Sequence, residues 1–544
     1  MQKLLLLFSV FIFILSLLLP YHRSPWPTFG SEVLTFIAAS FLLLCLAKSK
    51  VKIAKPQLYL LPILSIPLIQ FIFGQNIYFS NALFSFAYIL FFVLMVIAGY
   101  QLCLEHKNRE QVFKITCLTF VSVGVISAVF AVLQWLQLNW FFGDLIYPLK
   151  GNRPYANLAQ PNNLGTLLFL GLLSSLYLFE KRLLSNLYVI PIAFVILFGI
   201  VLAQSRTSII VCAFIVIYWL IKQFKKQNRF SLTHLAFWLG VFVLLTLNLT
   251  MINQLIFSIG DSASVVQSSA ANRAVQGMGD IRLDMWQQMI AAILHQPWWG
   301  YGWNQTGLAQ YYITDTFQVS LWYKSAHNMI LDLLVWNGLI LGGLILLYFA
   351  AWLLWLNKGV KDNISIIATL MVCAILIHGM LEFPLHYAYF LLPAGFLLGI
   401  IQAQYAKLPS VKINGRVFAV VALITIVGAL VTTRDYFLYK EQSVLASKAE
   451  ALTADQQHTM QKKIWLITQF KERVWWIGLD PKTEMTDQQL ADLERMVANL
   501  ASKYDLHKYA QVLAFNGKEQ EAKHQLWILE TLHKQHIEYN DLLK

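Results

Sequence analysis

Charged residues are scarce in this chain: they make up 13% of its 544 residues, whereas hydrophobic residues make up 58%. An ordinary soluble domain has about twice that share of charge. Apolar runs long enough to cross a hydrocarbon layer of about 30 Å recur along most of the chain. The composition therefore excludes an ordinary soluble protein and predicts an all-α protein that crosses a membrane many times.

Paired cysteines and several familiar catalytic motifs are also missing. The five cysteines lie within or at the ends of apolar runs, so we expect neither a disulfide framework nor a metal cluster. The chain has no Asp-x-Asp pair, no Gly-x-x-x-x-Gly-Lys-Ser/Thr phosphate loop and no Gly-x-Ser-x-Gly nucleophile elbow. These absences argue against ATP-driven transport and metal-assisted nucleotide-sugar chemistry. No small-residue cleavage site follows the apolar run from Leu4 to Leu19, which we interpret as a retained first helix.

The apolar runs predict about thirteen membrane-spanning helices of about 20 residues each. Their expected positions are 3–19, 31–47, 57–73, 81–103, 113–136, 163–179, 187–203, 207–221, 233–252, 328–356, 363–381, 384–404 and 415–432. The net charge of +13 would also suit a nucleic-acid partner, but the basic residues cluster in short loops between the runs. The positive-inside rule places those loops and the N-terminus in the cytoplasm. An odd number of spans then carries the C-terminal tail outside, and a re-entrant run at 207–221 would reverse the tail.

Two long polar segments fall on the outer side in this topology. Residues 253–327 form a large loop with amphipathic helices, and the tail 433–544 is charged with helical spacing of its apolar residues. The stretch from Tyr509 to Ala522 predicts a helix, a glycine turn and a second helix, as in one unit of a tetratricopeptide repeat. We therefore divide the chain into a transmembrane domain, 1–432, and the helical tail. The tail is either a cap or a docking surface for a protein.

Four arginines are predicted to face the outer side. Arg206 lies in a very short turn between two apolar runs, where a charge indicates function unless it reaches out to lipid phosphates. Arg282 precedes an amphipathic helix of the large loop, with Arg273 upstream, and Arg153 lies in another outer loop. Guanidinium groups bind phosphate through paired hydrogen bonds without a metal, so the set suits a lipid-linked phosphate. For Arg153 and Arg273, a solvated loop charge is the alternative.

His327 ends the large loop at the start of the next apolar helix. Histidine side chains in general can act as bases at neutral pH. A single histidine at a helix start is more often structural, but the nearby arginines favour a catalytic role. His378, Glu382 and His386 lie in another outward turn, where we expect them to support the base. A metal site there is the less favoured alternative.

Amide and aromatic side chains complete the candidate set. Gln160, Asn162 and Asn163 lie at the entry of an apolar run, and we expect their amides to face outward, where sugar hydroxyls could bind. Helix capping is the alternative, since such residues cap helices well. Trp298 and Tyr301, from an aromatic segment of the large loop, are predicted to contact the substrate.

These motifs together resemble the bacterial O-antigen ligase/polymerase superfamily, and within it the protein O-oligosaccharyltransferase branch (PglL-type, pilin-glycosylating). The likeness rests on the Ser205-Arg206-Thr207 turn, Arg282 with Trp286 before Pro297-Trp-Trp-Gly-Tyr-Gly302, the loop end Ser325-Ala-His327-Asn with Gly338 beyond, the stretch from Arg153 to Asn163, and the helical tail after Asp435.

The resemblance implies transfer of an oligosaccharide en bloc from undecaprenyl pyrophosphate to Ser or Thr hydroxyls of a pilin or other exported protein. The site would face the periplasm from the inner membrane. His327 would be the general base, and Arg206 and Arg282 would bind the pyrophosphate, with inversion at the sugar and no cofactor, metal or nucleotide. The alternatives are a lipid A-core O-antigen ligase, an O-antigen polymerase, or a transporter or flippase of a lipid-linked or anionic solute. A transporter of that kind would show inverted repeats, and the sequence shows no convincing repeat.

Overall fold

The computed structural model of the chain describes residues 2–223, 229–257, 280–405, 407–448 and 452–542. The predicted site residue Arg273 lies outside the described residues, so its placement stays a prediction. The first ten helices of the described part are α1 (Gln2–Leu18), α2 (Phe29–Leu44), α3 (Lys55–Leu58), α4 (Leu61–Ile72), α5 (Phe79–Leu102), α6 (His106–Trp135), α7 (Pro161–Glu180), α8 (Asn186–Ala203), α9 (Arg206–Gln223) and α10 (Leu232–Phe257). The later described helices are α11 (Asp280–His295), α12 (Thr306–Ile313), α13 (Met329–Lys358), α14 (Asn363–Gly379), α15 (Ala388–Gln402), α16 (Arg416–Ala446), α17 (Ala454–Gln461), α18 (Thr468–Gly478), α19 (Asp487–Leu500), α20 (Lys503–Phe515) and α21 (Glu519–His533).

Extended structure is minor in the described residues. Strands β1 (Lys50–Ala54) and β2 (Ser410–Asn414) form one antiparallel ribbon in which Lys52 lies opposite Lys412. Short 3-10 turns lie at Asn139–Leu145, Ala156–Leu158, Pro384–His386 and Tyr539–Asp541.

Every predicted apolar run contains a helix, which confirms the prediction of an all-α membrane protein. In the described part of the chain, eight helical segments are long and apolar enough to cross a membrane, and four more apolar helices have 10–17 residues. The short run 207–221 corresponds to α9, which has 18 residues. The positions of the helices thus agree with the sequence, while the number of thirteen crossings stays a prediction.

The chain folds into two compact units, and each unit is built from three separate stretches of the chain. The first consists of Met1–Leu60, Phe91–Gly279 and Ala351–Ile426, and the second of Leu61–Leu90, Asp280–Ala350 and Val427–Lys544. The second unit therefore contains much of the predicted outer loop together with the tail. The division by chain order into 1–432 and 433–544 stays a prediction, and α16 runs uninterrupted across that boundary.

In the first unit, α7 is almost completely buried and packs against α6, α8 and α14. A helix that is apolar around most of its circumference is expected to lie inside a protein. The polar side chains near the N-terminal end of α7 are buried with it, and buried polar groups need hydrogen-bond partners. Each of these buried side chains is therefore expected to bind a neighbouring element of the first unit.

In the second unit, the helical hairpin predicted near residues 509–522 is present as α20 and α21. Gly517 connects them with a φ of +73°, a conformation that glycine adopts without strain. Leu506 and Leu529 from the two helices share a buried core with Leu308 and Tyr311 of α12. The loop helix α12 therefore packs on the tail helices, while assignment of the tail to tetratricopeptide repeats stays a prediction.

Candidate active site

His327 lies in the turn that precedes α13, and its backbone is left-handed, with a φ of +52°. This conformation costs a non-glycine residue about 1–2 kcal/mol, so neighbouring contacts must stabilise it. The His327 amide donates to Ser325 Oγ at 3.1 Å, and Asn328 Oδ1 accepts from the Ile330 amide at 3.0 Å. The His327 side chain is half-buried. The turn thus fixes the backbone from which a partly accessible imidazole projects.

Asp332, in the first turns of α13, binds the residues just before His327. Its Oδ2 accepts from Ser325 Oγ at 2.6 Å, and its Oδ1 accepts from the Ala326 amide at 2.8 Å. Oδ1 also accepts from the Thr306 hydroxyl of α12 at 2.7 Å, and the residue is 1% exposed. The sequence reasoning did not select Asp332, although an acidic residue within an apolar run is a signal for function.

Helix α11 carries Arg282 in its first turn and contacts the His327 turn through Trp286. Trp286 Nε1 donates to the Ala326 carbonyl oxygen at 3.0 Å. Residues four apart lie on the same face of a helix, so Arg282 shares with Trp286 the face that meets this turn. The Arg282 side chain is half-buried. The second unit therefore brings the helix of Arg282 to the turn of His327.

The aromatic segment after α11 has one exposed and one buried member of the predicted pair. Trp298 is 62% exposed, whereas Tyr301 is 3% exposed. The Tyr301 hydroxyl donates to the Ala292 carbonyl oxygen at 3.3 Å. The structure thus leaves the Trp298 ring accessible to a ligand and places Tyr301 in the packed interior.

In the first unit, a turn of two residues separates α8 from α9. Gln204 ends α8 in the left-handed conformation, and the half-buried Arg206 is the first residue of α9. Arg153 Nη1 donates to the Gln204 carbonyl oxygen at 3.5 Å. The structure therefore brings Arg153 to the turn that presents Arg206.

A cleft between α8, α9 and α10 lies beside this turn. Gln204, Ser205 and Ser208 line it together with apolar residues that include Phe242 and Leu249 of α10. Its volume of about 20 Å³ is that of a shallow groove and well below that of a formed ligand pocket.

Asn162 of α7 connects the same turn to Glu382. Ser205 Oγ donates to Asn162 Oδ1 at 2.6 Å, and Asn162 Nδ2 donates to Glu382 Oε1 at 2.9 Å. Asn163 Nδ2 donates to the Tyr389 hydroxyl at 3.3 Å. Neighbouring helices surround α7 and leave Asn162 8% and Asn163 3% exposed, so both amides bind protein groups, and their position on the outer side of the membrane stays a prediction.

Gln160 is the N-cap of α7, which is the alternative that the sequence left open. Its side-chain oxygen accepts from the Asn163 amide at 2.6 Å, and Pro161 follows as the first helical residue. Both features are typical of a helix start. The capping side chain is half-buried.

His378 and His386 have different environments. His378 is 0% exposed, and its Nδ1 lies 2.9 Å from the Thr166 hydroxyl oxygen of α7. His386 is half-buried, and its ring centroid lies 5.6 Å from that of Phe383. His378 and Glu382 therefore both bind side chains of α7. His378 is completely buried and does not present a surface to a substrate.

Comparison with known proteins gives matches over nearly the whole chain. Residues 191–348 match a family described as O-antigen ligase, and residues 366–539 match a family described as virulence factor membrane-bound polymerase, C-terminal. A general O-oligosaccharyltransferase of Acinetobacter baylyi (strain ATCC 33305 / BD413 / ADP1) is 40% identical over 542 residues, which cover 100% of this chain and 94% of that protein. A ComP-specific O-oligosaccharyltransferase of the same organism is 31% identical over 362 residues, which cover 66% of this chain and 63% of that protein.

The O-antigen ligase match spans Arg206, Arg282 and His327, and the 40% identical relative aligns from end to end. The catalytic features were predicted from the sequence in this same region. The chain therefore belongs to the O-oligosaccharyltransferases of the O-antigen ligase family, and it is a glycosyltransferase.

Proposed function

We propose that this chain transfers an oligosaccharide en bloc from undecaprenyl pyrophosphate to a Ser or Thr hydroxyl of a pilin or another exported protein. The reaction takes place on the periplasmic side of the inner membrane. The relatives support a protein acceptor, since one is named as a general O-oligosaccharyltransferase and the other as specific for ComP. The grouping of basic loops on one side of the predicted topology supports the outer location of the large loop.

The His327 turn is the observation that supports this mechanism most directly. An alcohol is a poor nucleophile while it keeps its proton, so a base must take that proton as the attack proceeds. His327 accepts that proton while the alcohol oxygen bonds to the anomeric carbon of the glycan. The bond from that carbon to the pyrophosphate oxygen breaks, and its electron pair leaves with undecaprenyl pyrophosphate. Attack opposite the leaving group inverts the anomeric configuration.

The arginines stabilise the negative charge that develops on the leaving pyrophosphate. Arg206 and Arg282 are its principal ligands, and Arg153 and Arg273 are further phosphate ligands. Support for Arg206 and Arg153 comes from the turn that they share, and support for Arg282 from its position one helical turn before Trp286. Apolar residues of α8, α9 and α10 line a shallow groove beside this turn, where the polyprenyl chain of the donor can pack.

The remaining predicted residues bind sugar or position the arginine turn. Trp298 presents an exposed ring on which a sugar can pack. Asn162 and Glu382 act through Ser205, whose hydroxyl they orient beside Arg206. Buried groups of this kind work by fixing geometry, because they do not reach the substrate.

Replacement of His327 tests the function. In a deletion strain complemented with His327→Ala, we expect glycan transfer to fall by about 10²–10⁴-fold, the usual contribution of a general base, with an unchanged amount of protein in the membrane. The matched control is His106→Ala, at an exposed residue in the first turn of α6, which keeps normal transfer.

Pilin mobility and lipopolysaccharide laddering are measured on the same gel. Loss of the pilin shift with intact ladders supports the proposal. Near-normal transfer by His327→Ala would remove the base assignment, whereas lost ladders with a normal pilin shift would identify a lipid A-core ligase instead.

A further inference from the structure

We infer that Asp332 is a positioning residue for His327, and that it acts through the backbone of the turn before the histidine. This inference rests on the proposed role of His327 as the base. It assigns a function to a buried carboxylate that lies outside the set of residues proposed to contact the substrate.

The carboxylate is connected to the histidine by two hydrogen bonds in series. Asp332 Oδ2 accepts from Ser325 Oγ at 2.6 Å, and Ser325 Oγ accepts from the His327 amide at 3.1 Å. A second connection runs from Asp332 Oδ1 to the Ala326 amide at 2.8 Å. The two residues before His327 are therefore both bound to one side chain.

The number of donors explains why an ionised side chain is suited to this place. Oδ1 accepts from both Ala326 and Thr306, and Oδ2 accepts from Ser325. A carboxylate can accept all of these bonds at once, whereas an asparagine must present its NH₂ group to one of the donors. Burial of a charge is costly unless it is hydrogen-bonded, and here several donors compensate it.

The hydrogen bonds of Asp332 affect the direction of the imidazole, because His327 has a left-handed backbone that they help to hold. The direction of the imidazole depends on the φ and ψ of His327, and its φ of +52° is a conformation that the residue does not favour by itself. Asn328 fixes the chain after His327 by capping α13, while Asp332 fixes the chain before it. Without Asp332, the turn relaxes and the imidazole moves away from the acceptor hydroxyl.

The test uses the purified full-length protein, lipid-linked oligosaccharide extracted from the source strain, and pilin from a strain that lacks the transferase. We expect Asp332→Ala to lower kcat by about 10–100-fold, since a displacement of about 1 Å can cost a catalyst that much, with little change in KM for either substrate. Ser325→Ala should lower kcat less, and the Ser325→Ala, Asp332→Ala double variant should be no slower than Asp332→Ala, because both act through one turn.

The structural control is Asn516→Ala, which also removes three hydrogen bonds from the second unit, to Met485, Thr483 and Val512. It should lower the Tm as Asp332→Ala does but leave kcat unchanged. Asp332→Asn should recover part of the lost kcat, because its amide keeps one acceptor and can donate to Ser325. If Asp332→Ala does not accumulate in the membrane, Ser325→Ala and Asp332→Asn test the same turn.

The outcomes separate the two proposals. Normal transfer by His327→Ala would overturn the proposed function. An inactive His327→Ala together with a normal kcat for Asp332→Ala and Ser325→Ala would overturn the positioning role alone. An equal loss of kcat in Asn516→Ala would show that any destabilisation of this unit slows transfer, and would also overturn it.

Discussion

Gly338 and Trp298 meet backbone to backbone: a Cβ atom on Gly338 would lie 2.4 Å from the Trp298 carbonyl oxygen. Gly338 has a φ of +70° and a ψ of 178°, which interrupts α13. The next residue, Leu339, donates its amide to the Pro297 carbonyl oxygen at 2.7 Å. The interruption of α13 thus provides the contacts that hold the exposed Trp298.

We predict that Gly338→Ala lowers the free energy of unfolding by about 1–3 kcal/mol, the usual cost of a residue forced into a disfavoured backbone conformation, with added cost from the contact with Trp298. Thermal unfolding of the purified protein in detergent measures the loss. Gly343→Ala is the control in the same helix, since nothing lies within 4 Å of a Cβ there and alanine favours helix. Equal effects of the two substitutions would contradict this account of Gly338.

We predict that Asn162→Ala destabilises the protein by about 1–3 kcal/mol, because the substitution removes a buried partner from Ser205 and from Glu382. Asn162→Asp should be worse than Asn162→Ala although it has the same shape, since it places a carboxylate against Glu382. Transfer activity should fall in the same order, because Ser205 precedes Arg206. A fully stable Asn162→Asp would show that the two carboxyls share a proton and would contradict the predicted order.

Glu494 provides a prediction for the pH dependence of stability. Burial raises the pKa of this half-buried carboxyl on α19 above its usual 4.5, opposed by the charge of His524 and a hydrogen bond with Tyr311. Between the two pKa values the folded chain binds more protons than the unfolded chain, so stability falls as pH rises through that window.

Glu494→Gln should therefore raise the Tm at a pH above the folded pKa of Glu494, and this gain should disappear at a pH below its usual value of 4.5. The glutamine still accepts a hydrogen bond from Tyr311. Glu484→Gln, at an exposed residue, serves as the control and should show no such dependence. A gain that is the same at both pH values would contradict the charge explanation.

The proposed sidedness requires the tail to lie across the membrane from the basic loops. We predict that Lys482→Cys in the tail reacts with a membrane-impermeant maleimide in cells with a permeabilised outer membrane, whereas Lys107→Cys does not. Both positions are exposed, and the native cysteines are buried or half-buried. Reaction at both sites would place both on the same side of the membrane and would indicate an even number of crossings between residues 107 and 482.

Local patterns in the sequence were sufficient for much of the fold. Each apolar run became a helix because the length and hydrophobicity of a run are properties of that segment alone. The sequence also predicted the turn at Gly517, and it offered helix capping as an alternative role for Gln160. The sequence did not show that Asn162 and Asn163 would be buried, because the polarity of a residue does not show which helices will surround it.

In the large loop, too, the sequence predicted local features of the candidate site but not the contacts between distant residues. The sequence predicted helices within it and pointed to His327 and Arg282, because an imidazole can act as a base and a guanidinium group can bind phosphate. It did not predict the left-handed backbone of His327 or its connection to Asp332, since these contacts depend on Ser325 and Thr306 being brought to the same carboxylate.

The sequence by itself therefore determined a helical membrane protein, the approximate position of each apolar helix, and a resemblance that identified the family. Tertiary structure alone decided the break of α13 at Gly338, the partners of Asn162, and the backbone geometry of His327. The physical reason is that the ability of a segment to span a membrane as a helix depends on how many apolar residues follow one another, whereas a hydrogen bond depends on the distance and direction between two groups. In this protein those groups come from distant segments, such as Asn162 and Glu382, and only folding brings them together.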